Sequence, residues 1–261
     1  MPDAHDTGQL VASAAEIYDR FFVPALFEAW PARILDLLDL GAGSRVLDVA
    51  CGTGVVSRHA HAQGFETVGV DLNEGMLAVA RSRSPDLHWR QGDATALPFA
   101  DASFDAAICQ FGWMFFADRT AAIRELRRVV GSDGAIAVAV WGPLAETPGY
   151  VAMADLIARL FGEDAARSLQ QPYAFGDDAL LRRAFDQAHE PDAAIHRLMG
   201  EVRFPSLDDW VHTDIKGWTL ADVIDDDGFA RLRTAAREEL AGFVEPDGSV
   251  RFATGVRVVV G

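Results

Sequence analysis

The sequence predicts an α/β fold in which a mostly parallel sheet carries helices on both faces and helical insertions cover one end. Three observations predict it. Strand-like and helix-like segments alternate from residue 45 to 141, the pattern of a parallel sheet with crossover helices. One of those strands runs straight into a glycine-rich loop, Ala50-Cys51-Gly52-Thr53-Gly54, and a helix follows. The chain has 261 residues, half of them apolar, which is enough to bury one sizeable core.

Leu10, Ala14, Ile17 and Phe21 lie at helical spacing, so a helix is expected over 10–21, interrupted by Pro24. Phe27, Trp30, Ile34, Leu37 and Leu38 predict a second helix over 27–39, ended by Gly41 and Gly43. Strands are expected at 45–49, 67–70, 87–91, 104–109 and 135–141. Helices are expected at 54–63, at 73–82 with Asn73 as N-cap, and at 118–130. Beyond Trp141 the rhythm changes. Residues 146–190 read as helical, with the stripe Met153, Leu156, Ile157, Leu160. Residues 194–204 read as a strand. Residues 206–243 read as helical, opened by a Ser206/Asp209 capping box and striped by Phe229, Leu232, Ala236, Leu240 and Phe243. Val256, Val258 and Val260 alternate as an edge strand would over 250–260. No repeat or linker divides the chain. The expectation is one domain over 1–261, with an N-terminal helical cover at 10–40, a core at 45–141, and insertions at 146–190 and 206–243 that shape a pocket.

The formal net charge is −16, and Arg127-Arg128 and Arg182-Arg183 are the notable basic pairs. A nucleic-acid binder needs a basic face to displace counterions, so nucleic acid is disfavoured as a partner, as is an anionic membrane surface. Cys51 and Cys109 are too few for a disulfide framework or a four-cysteine zinc site and suggest a reducing compartment. Residues 1–9 are polar and acidic, unlike a signal peptide, and no apolar run approaches the roughly 20 residues that span a bilayer. A cytoplasmic protein is expected.

The stretch Val46-Leu47-Asp48-Val49-Ala50-Cys51-Gly52-Thr53-Gly54 carries the most chemical information. Gly52 and Gly54 let the backbone turn tightly and approach a ligand, at the carboxyl end of a strand, where open α/β sheets bind ligands. A dinucleotide fingerprint would place a small residue third, at Ser57, a mild departure. Asp48 argues against it, because a carboxylate there would face a pyrophosphate with like charge. A carboxylate suits a ligand with an ammonium group. Asp71 ends the second strand, 17 residues after Gly54, where a carboxylate accepts ribose hydroxyls. Gln91-Gly92-Asp93-Ala94 follows the third, where Asp93 and the Ala94 N–H would read an adenine edge.

These residues resemble a known family. Val46–Gly54 is similar to motif I of the Rossmann-like methyltransferases that use S-adenosylmethionine (SAM). Asp71-Leu72-Asn73 with Met76-Leu77 resembles the family's ribose loop. Asp93-Ala94, Leu97-Pro98-Phe99 and Ser103-Phe104-Asp105 resemble its adenine side. The branch most resembled is that of the ubiquinone and menaquinone C-methyltransferases, over residues 45–141. The resemblance implies a seven-stranded sheet with its last strand antiparallel, and a methyltransferase that makes S-adenosylhomocysteine and uses neither metal nor covalent enzyme intermediate. It implies that Asp48, Ala50, Gly52, Gly54 and Gln110 hold the methionine part of SAM. Asp71 would hold the ribose, Leu72 and Met76 would pack the adenine, and Asp93 and Ala94 would contact its edge. Tyr18 and Phe22 would close over SAM.

The acceptor is expected to be a small molecule, apolar or aromatic, methylated on O, N or C. Trp113, Phe115 and Trp141 follow the fourth and fifth strands into the cofactor crevice and are the pocket candidates. His212, on an insertion helix, is the candidate base, or else a surface histidine. Two other readings stay open: a SAM-binding protein doing other chemistry, and an NAD-dependent oxidoreductase, which Asp48 disfavours.

Overall fold

In a computed structural model that describes residues 12–216, 220 and 223–261, the strands form where the apolar runs place them. They are β1 (Arg45–Val49), β2 (Glu66–Asp71), β3 (His88–Gln91), β4 (Ala106–Gln110), β5 (Ala135–Trp141), β6 (Ala194–Phe204) and β7 (Val250–Val260). Together they make one seven-stranded sheet in the order β3-β2-β1-β4-β5-β7-β6. The first five run parallel, with Leu47 beside Val68 and Ala107. β4 is buried along its whole length, and β1 and β5 are buried at all but their first residue, which is why their sequences do not alternate.

β7 runs antiparallel to both of its neighbours, but it is not the edge strand that its alternation suggests. It lies between β5 and β6, and β6 forms the edge. The alternation holds only from Val250 to Ala253; from Thr254 to Val259 both faces are buried. The insertions cause this: Gly149 sits against the Phe252 ring, and Asp178 pairs with Arg257.

The helices around the core are α1 (Ala12–Ile17), α2 (Pro31–Leu35), α3 (Val55–Ala62), α4 (Glu74–Arg83) and α5 (Arg119–Val130). Asn73 caps α4 as expected, its side chain accepting from the N–H groups of Gly75 (2.8 Å) and Met76 (3.3 Å). Leu10, in the predicted first helix, lies outside the described residues, as do residues 1–9. Pro24 does not break that helix. α1 continues into a π-helical segment, Tyr18–Phe27, with Pro24 inside it. The wider turn accommodates the ring, and the Glu28 N–H bonds five residues back to Val23 O at 2.9 Å. α2 is correspondingly shorter than expected, because the π segment takes Phe27 and Trp30 becomes the cap residue.

The first insertion holds α6 (Pro148–Phe161), α7 (Glu163–Gln170) and α8 (Asp178–Gln187); the second holds α9 (Leu207–Lys216) and α10 (Asp226–Glu239). The predicted helical stretch 206–243 includes 217–219, 221 and 222, which lie outside the described residues. Ser206 opens α9 as a capping residue: its Oγ accepts the Asp209 N–H at 3.0 Å and donates to the Asp209 carboxylate at 2.6 Å.

Arg257 ties the first insertion to β7. Its side chain is only 5% exposed and donates to Glu146 (2.8 Å) and Asp178 (2.8 Å). Arg257→Ala would leave Glu146 without its cation and Asp178 with Arg197 alone. Both keep some contact with water, so we expect a loss of about 3 kcal/mol, at the low end for breaking a buried pair. For a chain of this size that is a melting-temperature drop of about 6–12 °C. A thermal melt with a drop of under about 2 °C would show that the carboxylates simply rehydrate.

Candidate functional site

The carboxyl ends of β1, β2, β4 and β5 open onto a cavity of about 400 Å³. The loop after β1 forms its floor. Gly52 (φ 54°) and Gly54 (φ 87°) are left-handed, a conformation glycine adopts without steric cost. A Cβ at Gly54 would lie 2.2 Å from the Trp89 ring, so no other residue fits there. Ala50 and Phe111, at the ends of β1 and β4, also hold positive φ (55° each) although neither is glycine. Such strain persists where the surroundings enforce it. At Phe111 they do: its N–H bonds to Ala139 O at 2.9 Å and its ring stacks on Trp141 with centroids 3.9 Å apart.

Two carboxylates hold this loop. Asp48 Oδ2 accepts the N–H (2.9 Å) and the hydroxyl (2.7 Å) of Ser57. The small third position of the loop is thus used for its hydroxyl. Asp71 accepts the Gly52 N–H on one oxygen and the Asn73 N–H on the other, each at 2.8 Å. Burial pushes the Asp48 carboxyl up to about 7 against the pull of the Ser57 bonds. It also raises Asp71, whose backbone donors act in the opposite sense.

Most of the sequence-predicted residues meet on the cavity wall. Ala50, Gly52 and Gln110 line it beside the loop; Asp71, Leu72, Met76, Asp93 and Ala94 line it past β2 and β3. Tyr18 and Phe22, from the π segment, line it from above, and Phe115 and Trp141 line the far end. Gln110 donates its Nε2 to Phe27 O at 3.3 Å, while its buried Oε1 has no partner. That orphan acceptor, with the lone pairs Asp71 has left, fits a ligand bearing an ammonium group and a ribose.

Four predicted residues are not on the wall. Asp48, 1% exposed, lies behind the loop and is engaged by Ser57, so it does not face a ligand's ammonium group. Gly54 begins α3 and packs on Trp89 instead. Trp113 is fully buried, with its indole N–H donating to Arg119 O at 3.1 Å, and belongs to the core. His212 is exposed, between the rings of Phe21 and Phe229. A shift of two positions along α9 carries a side chain to the opposite face, and the face that meets the cavity bears Asp214.

Sequence reasoning missed Asp214, together with Tyr150 and Tyr173, which line the same end. Asp214 is 3% exposed and accepts from the Tyr150 hydroxyl at 3.1 Å. Burial pushes it up to about 7, with Tyr150 and Trp210 pulling it back. The available signal was a carboxylate four residues after Trp210, on the apolar face of its helix.

Residues 47–138 match the family model described as a methyltransferase domain. The demethylmenaquinone methyltransferase of Renibacterium salmoninarum is 36% identical over 146 residues, 56% of this chain and 62% of that protein. The chain therefore spans under two-thirds of that relative's length. The demethylmenaquinone methyltransferase of Staphylococcus saprophyticus is 32% identical over 218 residues, 76% of this chain and 92% of that protein. Phosphoethanolamine N-methyltransferase 2 of Haemonchus contortus, solved with S-adenosyl-L-methionine, shares the fold at a TM-score of 0.60 and 17% identity, over 99% of this chain and 59% of that one.

The raised carboxyls set a pH dependence. Asp48 and Asp214 titrate near 7 when folded, against an ordinary value of 3.8. Between these values the folded chain binds protons that the unfolded chain does not, so stability falls as pH rises towards 7 and then levels off. The slope is at most about 1.4 kcal/mol per pH unit for each group. Thermal melts from about pH 5.5 to 7.5, the upper part of that window and its end, should show this fall, and Asp48→Asn should flatten part of it. Equal slopes in the two proteins would show that Asp48 is ionised throughout.

Proposed function

Because the chain belongs to the Rossmann-like family of SAM-dependent methyltransferases, we propose that it transfers the methyl group of SAM to a small apolar or aromatic acceptor. One observation carries the reading: a single cavity joins a polar end, at Gly52, Asp71, Asp93 and Gln110, to an aromatic end, at Phe115, Phe116 and Trp141. The polar end would take the cofactor. Asp71 accepts the ribose hydroxyls with its remaining lone pairs, Asp93 and the Ala94 N–H meet the adenine edge, and Gln110 Oε1 accepts from the methionine ammonium.

Bound SAM supplies a methyl carbon on a positively charged sulfur, already activated for displacement. The protein then has to align the acceptor in line with the C–S bond and keep water out. Tyr18 lies over Gly52, whose Cβ position is 3.7 Å from its ring, and with Phe22 it closes the cofactor end. The aromatic faces of the far end suit a flat apolar acceptor beside a cation. The names of the two bacterial relatives favour a quinol-type ring as that acceptor. No helix among the described residues is long and apolar enough to cross a membrane, which accords with work in the cytoplasm.

The test is direct. Calorimetry should give micromolar binding of SAM and none of NAD, and incubation of SAM with naphthols, naphthoquinols and aryl amines should release S-adenosylhomocysteine with one class. Saturable NAD binding without SAM binding would overturn the reading. Asp71→Ala should weaken SAM by about 30- to 1,000-fold, the loss of two hydrogen bonds to a charged group. It should also lower the melting temperature, because the same carboxylate holds Gly52. A lowered melting temperature with unchanged affinity would confine Asp71 to the loop.

A further inference from the structure

Asp214 and Trp210 lie one helical turn apart on α9, on its buried face. Asp214 Oδ1 is taken by the Tyr150 hydroxyl of α6 at 3.1 Å. Asp214 Oδ2 is buried and has no hydrogen-bond partner. The buried Trp210 indole N–H favours the carboxylate electrostatically yet makes no hydrogen bond of its own. Asp214 lines the cavity with Tyr150 and Tyr173, and the Tyr173 ring lies 6.1 Å from that of Trp141. A buried carboxylate oxygen without a donor is costly, and among the described residues the Trp210 indole offsets only part of that cost. A donor arriving with a ligand would offset the rest.

We propose that Asp214, held by Tyr150, is the group that binds the acceptor's hydroxyl and takes its proton, and that the acceptor is a phenol or quinol. This rests on the methyl-transfer reading. A hydroxyl suits the site better than an ammonium, because the cavity must also hold the sulfonium and a second cation beside it would be repelled. A neutral hydroxyl that becomes anionic complements that charge.

The step balances. The hydroxyl proton moves to Asp214 Oδ2, and the freed electron pair, on oxygen or on a conjugated ring carbon, forms the new bond to the methyl carbon. The C–S bond breaks with its pair left on sulfur. A carboxylate and a sulfonium become a carboxylic acid and a neutral thioether. Where carbon is methylated, the ring regains its aromaticity by moving that carbon's proton to the oxygen. Asp214 returns its proton to solvent as product leaves.

Burial sets the Asp214 carboxyl near 7, so a proton can move on and off at neutral pH. Tyr150, from α6, and Tyr173, from the turn after α7, are the titratable groups that face this pair, and burial raises both so that they stay neutral there.

The experiment titrates the full chain with β-naphthol, with its methyl ether and with β-naphthylamine, across neutral pH, beside a SAM titration. The wild type should bind naphthol about 10- to 100-fold more tightly than the ether, as expected for one bond to a charged group. That preference should fade as pH falls through about 7. Asp214→Asn, whose neutral amide oxygen accepts more weakly, should keep at most a small preference that no longer changes with pH, with SAM affinity unchanged. Tyr150→Phe should move the pH midpoint upward, since it removes a donor that favours the anion. Equal binding of naphthol and ether by the wild type, the full pH-dependent preference retained in Asp214→Asn, or tighter binding of the amine would overturn the proposal. If Asp214→Asn does not fold, the Tyr150→Phe midpoint decides, and an unmoved midpoint counts against it. Failure of the methyl-transfer reading would show separately, as a wild type that does not bind SAM.

Discussion

The carboxylate of Asp71 accepts the Gly52 N–H with one oxygen and the Asn73 N–H with the other, and the geometry of the cofactor end depends on that single side chain. It joins the loop after β1 to the start of α4, so β1 and β2, neighbours in the sheet, also share one fixed anion at their carboxyl ends. Asp48 does the same work one layer deeper, through Ser57. With both in place, Gly52 and Gly54 are held in left-handed conformations that would otherwise be only a few among many open to glycine. The loop is therefore set in shape before any ligand arrives, which lowers the ordering cost of binding.

The π-helical segment Tyr18–Phe27 is a second device at the same mouth. Its wider winding keeps Pro24 within a continuous helix and sends Tyr18, Phe22, Leu26 and Phe27 to the cavity. An ion pair anchors it from outside: the Asp19 carboxylate, 5% exposed, takes the exposed Arg83 of α4 at 2.6 Å. The segment that covers the site is thus fastened to the helix whose cap lies beside the ribose carboxylate.

The aromatic end has a different origin. Trp141 ends β5, while Tyr150, Tyr173 and Asp214 come from the two insertions, and Arg257 on β7 links the first of them to the sheet through Glu146 and Asp178. Cofactor recognition and acceptor recognition are therefore carried by separate stretches of chain. The insertions can change their lining residues without disturbing the glycine loop.

The sheet, its strand positions and the glycine loop were legible in the sequence because each depends on local pattern: apolar runs of strand length, glycines at a turn, a carboxylate at a strand end. The wall positions of Asp71, Asp93, Ala94 and Gln110 follow from the same logic, since a residue at the carboxyl end of a parallel strand has few places to point. Tertiary structure decided the rest. Periodicity marks which faces of β7 are buried but not which strands flank it, and the insertions covered both. Asp48 and Asp71 each end a strand as carboxylates, and only packing turned one behind the loop and left the other on the wall. Trp113 and Phe115 lie two residues apart, and only the fold sent one to the core and the other to the cavity. On α9 the rotation of the helix hid His212's neighbour Asp214 against Tyr150 and left the histidine in solvent, because which side of a helix meets a cavity is fixed by partners more than fifty residues away in the chain.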